Sequence, residues 1–154
     1  MSSDEKKILA TLILEIIGRP PEHLKETLSD LIKQMGEEKG IKVVGSKINE
    51  PNTLEKEQNL FTTFAEIDVE VNEMANLFLL TFKYMPAHVE IFSPERLTID
   101  HSLINETLNE LTRRLHAYDE VARVIQTEKM ILETKLRELT KTEEKPAKKK
   151  KKSS

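Results

Sequence analysis

Three carboxylates alternate along Glu66-Ile67-Asp68-Val69-Glu70, a spacing that puts all three on one side of an extended strand. Carboxylates held this close can bind a cation or share a proton as an acid–base pair. Glu15 and Glu90 fall where neighbouring strands would add to the row. The same alternation also makes the solvated or partner-facing side of any half-buried antiparallel sheet. That side carries Leu9, Ile13, Phe64 and Phe92 as well, so it reads as a surface to be covered rather than a reactive centre. His88-Val89-Glu90 matches the H-x-E part of the zinc deaminase signature, but the chain has no Cys to complete it. The four histidines, His23, His88, His101 and His116, show no metal-ligand spacing. His116 and Glu120 lie one helical turn apart, as is common on any charged helix. Phosphate-binding, dinucleotide-binding and nucleophile-elbow motifs are all missing. The expectation is therefore no catalytic residue, no cofactor and no metal.

The remaining chemically marked segment is a run of five consecutive lysines, Lys148, Lys149, Lys150, Lys151 and Lys152. Such a run can neutralise phosphates of a nucleic acid or another polyanion without reading sequence. Charge is partitioned to match. Residues 1–100 carry 11 basic and 18 acidic side chains (−7), residues 101–140 carry 6 and 7 (−1), and residues 141–154 carry 7 and 2 (+5). The last segment, KTEEKPAKKKKKSS, has no apolar side chain larger than Ala147. It is expected to be a disordered tail, because it cannot bury enough surface to offset the entropy of ordering.

The elements that would position these residues follow from periodicity. Ile8–Ile17 is apolar on both alternating faces apart from Thr11 and Glu15, the pattern of a central strand covered at least partly on both sides. Pro21 suits the first turn of a helix bearing Leu24, Leu28, Leu31, Ile32 and Met35, with Gly36 as its stop. Ile41–Ile48 reads as a strand, 51–59 as a loop, and Phe61–Val71 as the clearest half-buried strand. Asn72 is placed to cap a second helix whose face is Met74, Leu77, Phe78, Thr81, Phe82 and Met85, ended by Pro86. Ala87–Ile91 makes a fourth strand, and Arg96–Ile99 a short extra edge. Strand and helix order, βαββαβ, predicts an α+β ferredoxin-like domain over residues 1–100, an antiparallel sheet with two helices on one face. RNA recognition motifs share that order, but Ile8–Ile17 offers no aromatic for base stacking, and three carboxylates on the open side would repel phosphate.

From Ser102 to Thr140 there is no Gly or Pro, and the sharpest pattern in the chain appears. Ile104, Leu108, Leu111, Leu115, Tyr118, Ala122, Ile125, Lys129, Leu132, Leu136 and Leu139 follow at alternating steps of four and three. This is a coiled-coil seam over a long helix, residues 101–140, with Ile104 at a d position and Lys129 at an a position. A helix of this length spans roughly 58 Å, beyond what a small domain can cover, so the seam predicts a homodimer. The lysine at a favours two strands over three or four. Across a parallel pair Arg114 and Asp119 attract while Glu128 and Glu133 repel, which leaves the orientation open.

Two resemblances accompany this reading. Ile17-Gly18-Arg19-Pro20-Pro21-Glu22-His23-Leu24, taken with Leu111-Thr112-Arg113-Arg114-Leu115-His116, is similar to small uncharacterised archaeal proteins with lysine-rich C-termini, a likeness that implies no activity. The element order and the Gly18-Arg19-Pro20 turn resemble ACT domains, which implies amino-acid binding at an interface between subunits. The sequence thus predicts a non-enzymatic oligomerising adaptor with a polyanion-binding tail, the alternative being an ACT-like small-molecule sensor. No apolar run reaches the roughly 18 residues of a membrane span. The charged opening MSSDEKKILA does not read as a secretory signal, so the expected location is the cytoplasm.

Overall fold

The computed structural model describes residues 6–54 and 59–151, with side chains of the C-terminal helix described to Glu143. The chain divides into two units at Leu103/Ile104. The first is built from β1 (Ile8–Gly18), α1 (Pro21–Glu37), β2 (Ile41–Ile48), β3 (Asn52–Thr53), β4 (Phe61–Val71), α2 (Met74–Tyr84) and β5 (His88–Ser93). Its antiparallel sheet runs β2-β4-β1-β5, with the two-residue β3 pairing the start of β4. This is the expected ferredoxin-like arrangement with one small strand added inside the predicted 51–59 loop. Residues 94–100 form no strand, so the edge predicted at Arg96–Ile99 is not present and β5 is itself an edge.

The β1–β4 register sets the core. Ile8 faces Val71 and Gly18 faces Phe61, with no slip between them. Because side chains alternate, Ile8, Ala10, Leu12 and Leu14 share one face with Ala65, Ile67, Val69 and Val71, and all eight are buried. Leu24, Leu28 and Met35 of α1 and Leu77 and Leu80 of α2 close over that face. Full burial of a side chain such as Leu28 contributes about 1.5–3 kcal/mol. One polar side chain joins the core. Thr63 is buried, and its hydroxyl donates to the carbonyl of Asn49 at 2.6 Å.

Several local expectations are corrected. α2 places Leu77 and Leu80 inward and leaves Met85 exposed at the helix end, where its φ of 49° turns the chain. The cap of α2 is Glu73, not Asn72, and it forms a reciprocal box with Asn76, whose Oδ1 accepts the Glu73 N–H at 3.0 Å. β1 is covered on one face only, since Leu9 and Ile17 are exposed on the other. Gly36 lies inside α1, and the residue that reverses the chain is Gly40, with φ of 79°.

Gly40 sits where an L side chain fits badly in two ways. Its left-handed backbone is disfavoured for other residues by about 1–2 kcal/mol, and a Cβ there would lie 2.8 Å from Asn76 Nδ2. That amide donates to the Lys39 carbonyl at 3.1 Å while its oxygen completes the α2 cap. Gly40→Ala is therefore expected to lower unfolding free energy by about 2 kcal/mol in a urea titration. A loss under about 0.5 kcal/mol would contradict this packing. Nearby, the Tyr84 hydroxyl donates to Glu38 at 3.1 Å, and Lys83 pairs with the same carboxylate. Lys83 first, then Tyr84, hold the Glu38 carboxyl below its ordinary range. Burial, then the hydrogen bond to Glu38 and its charge, pushes the Tyr84 phenol up to about 12.

Candidate association surface

The second unit is the helix α3, His101–Lys151. At 1.5 Å per residue its 51 residues extend about 76 Å. It runs past Thr140, the boundary expected from the sequence, and its backbone takes in Lys148, Lys149, Lys150 and Lys151. Lys, Glu and Ala are strong helix formers and favour this extension, whereas Pro146 within it lacks a backbone N–H and opposes it. The side chains of Lys148, Lys149, Lys150 and Lys151, and the whole of Lys152, lie outside the described residues. The expected polyanion contacts of these five lysines therefore rest on the sequence alone.

The predicted seam is presented as a continuous stripe. Ile104, Leu108, Leu111, Leu115, Tyr118, Ile125, Leu132, Leu136 and Leu139 are all exposed, Leu115 at 58% and Leu132 at 61%; Ala122 and Lys129 are exposed among them. Leucines this open at regular spacing along one helix are unusual on a lone soluble chain. The helix is otherwise supported from within. Asp119 and Arg123 pair at 2.9 Å, and Glu110 accepts from Arg114 at 2.6 Å and from Arg113. Arg114, then Arg113, hold the Glu110 carboxyl below its usual range. Thr127 and Thr134 donate to the carbonyls of Arg123 and Met130, both at 2.9 Å. These polar groups are thus satisfied without a second chain.

A feature beyond the eleven-residue seam is also present. Val121, Val124 and Ile131 are exposed and fall at g, c and c of the same heptads, so the middle of α3 is apolar over a wider arc than a and d alone. The signal was in the sequence, but an a/d template does not count those positions.

The open face of the first unit's sheet is the other exposed surface. Strand registers bring Glu15, Glu66, Asp68, Glu70 and Glu90 to it, as the alternation predicts, together with Leu9, Phe64 and Phe92. Four of these five carboxylates have a partner. Thr11 donates to Asp68, Thr62 donates to Glu15 at 3.1 Å, Lys7 pairs with Glu70 at 2.9 Å, and His88 lies 3.8 Å from Glu90. Lys7 holds the Glu70 carboxyl down. Among the described residues no three His, Asp or Glu converge as a metal site, and no helix is long and apolar enough to cross a membrane.

One family model, that of the MJ0538 family, matches residues 9–145, a range that covers most of both units. The chain belongs to the MJ0538 family. The MJ0538 family is uncharacterised and named after an archaeal protein, so the resemblance drawn from Ile17–Leu24 and Leu111–His116 holds at that level. The MJ0538 match takes in all of β1 but Ile8 and most of α3, and stops before Lys148, Lys149, Lys150, Lys151 and Lys152. No curated protein and no solved structure matches the chain.

Proposed function

We propose that the chain is a non-enzymatic adaptor. Its ferredoxin-like unit is paired with a second copy through α3, and its lysine-rich end holds nucleic acid or another polyanion without sequence preference, in a cytoplasmic setting. The observation that supports this reading is the exposed eleven-position seam: a stripe of leucines in water is costly unless another helix covers it. A sensor of ACT type would need a ligand pocket beside Gly18–Pro21. Among the described residues, a recess of about 490 Å³ bounded by Lys6, Ile8, Asn72, Glu73, Leu97 and Asp100 lies at the opposite end of β1.

The polyanion half of the proposal is tested by salt titration of the full chain and of a chain ending at 144, on one labelled duplex and one single strand. Five lysines engaging about five phosphates predict a log–log salt slope near −4.5 on duplex DNA and about −3.5 on a single strand. The shortened chain is expected to lose binding while keeping its fold and assembly. Equal binding by both chains, or binding indifferent to salt, would overturn the anchor.

A further inference from the structure

We infer that two copies of α3 pair antiparallel about a two-fold axis level with Glu120. This deepens the proposal that α3 self-associates and rests on it. Ten of the eleven seam positions pair about that level, the exception being Leu139, which falls opposite the partner's His101 at the helix start. An antiparallel pair centred there sets Ile104 opposite the partner's Leu136, Leu108 opposite the partner's Leu132, and Leu115 opposite the partner's Ile125. Tyr118, the bulkiest seam residue, then lies against the partner's Ala122, the smallest, on both sides of the axis. Lys129 falls opposite the partner's Leu111, over which its methylene stem can lie while its ammonium reaches the rim.

A parallel, in-register pair stacks like on like. It would crowd two Tyr118 rings in one layer, leave two Ala122 methyls facing across a gap in another, and press two Lys129 ammonium groups together in a third. Overfilled and underfilled layers both destabilise, which penalises the first two, and like charges penalise the third.

The flanks agree. Antiparallel helices bring g positions alongside g positions, so Arg114 meets the partner's Glu128 twice per dimer and Val121 meets the partner's Val121. The guanidinium has five N–H donors, so it can serve a second carboxylate beside Glu110. In the parallel arrangement Arg114 faces the partner's Asp119, which already pairs with Arg123 of its own helix at 2.9 Å. Glu128 there faces the partner's Glu133 and Val121 faces the partner's Gln126, so the parallel flanks set one attraction against one like-charge pair. On the antiparallel flanks Asp119 lies beside the partner's Asp119, an unfavourable contact, but each is already paired with Arg123 of its own helix at 2.9 Å.

The chain has no Cys, so a single engineered thiol reports one site per copy. Thr134 is exposed on the face away from the seam, and Thr134→Cys can carry a spin label without entering the interface. In the antiparallel pair the two labels are separated by about 42 Å along the axis; in a parallel pair they lie side by side, about 20 Å apart across two helix diameters. A dipolar distance of about 40–50 Å on the full-length protein is the expected result. A dimer giving a distance near 20 Å, or a mixture of short and long distances from a larger bundle, would overturn the antiparallel two-stranded pairing while leaving self-association standing. A monomer by sedimentation of the same labelled sample and of the unlabelled parent would overturn the self-association reading itself, and this inference with it.

Discussion

A chain carrying Leu115→Asp and Leu132→Asp is expected to sediment as a monomer at micromolar concentration, where the parent is expected to sediment as a dimer. Both leucines are more than half exposed on the isolated helix, so neither substitution strains the single chain, and the whole effect falls on association. Each dimer would lose four leucines from its seam and gain four carboxylates. Removal of a buried leucine costs about 2–5 kcal/mol, and burying an unpaired charge costs more. A micromolar dissociation constant corresponds to only about 8 kcal/mol. The dissociation constant should thus rise by more than about a thousandfold, beyond any concentration used in sedimentation. Far-UV circular dichroism should report partial loss of helix, because a solitary helix has little stability apart from its packing. A double variant that remains dimeric would show that the association uses another surface.

The second large effect is on folding. Leu28→Ala should lower unfolding free energy by about 2–5 kcal/mol, because Leu28 is fully buried where α1 meets the sheet and belongs to the core cluster with Leu12, Met35 and Ile67. A domain of about 100 residues has only about 5–15 kcal/mol in hand, and each kcal/mol shifts Tm by roughly 4–8 °C at this size. Thermal and urea unfolding of the full chain measure it, with sedimentation expected to stay that of the parent because Leu28 is far in sequence from the seam. A loss below about 1 kcal/mol would mean that α1 does not pack on the sheet as described.

The sheet was most legible where polarity alternates. In β4 every outward residue from Thr62 to Glu70 except Phe64 is polar, so the inward set Thr63, Ala65, Ile67, Val69 and Val71 stands out at once. β1 hid its one-sidedness because Leu9, Ile13 and Ile17 on its open face are as apolar as the core residues between them. α2 hid its orientation for a related reason. Apolar residues surround MANLFLLTFKY on most sides, so periodicity cannot choose between Leu80 and Phe82, and the sheet beneath makes the choice. Gly36 and Gly40 are both credible helix stops by type. What decides between them is the close approach of Asn76, which comes from a segment well over thirty residues away and leaves no local trace. The seam of α3 needed no tertiary context, since its period is carried within one element. The stripe of Val121, Val124 and Ile131 was just as visible but falls outside a two-position template. The mixed apolar and acidic character of the open sheet face follows from strand alternation, whereas its pairings with Thr11, Thr62 and Lys7 depend on registers that no single strand reveals.

The two edges of the sheet carry a consequence for how the protein behaves when crowded. β5 is six residues long and is followed at once by Pro94, with Pro86 two residues before it, and neither proline has an N–H to offer an incoming strand. β2, the opposite edge, shifts register between Val43 and Gly45 and bears Lys42 and Lys47. A bulge and charges on one side, and a short proline-bracketed strand on the other, are the features by which natural sheets resist edge-to-edge growth into aggregates. Self-association through α3, as proposed, would raise the local concentration of these sheets. Blunted edges of this kind oppose edge-to-edge stacking of sheets brought close together.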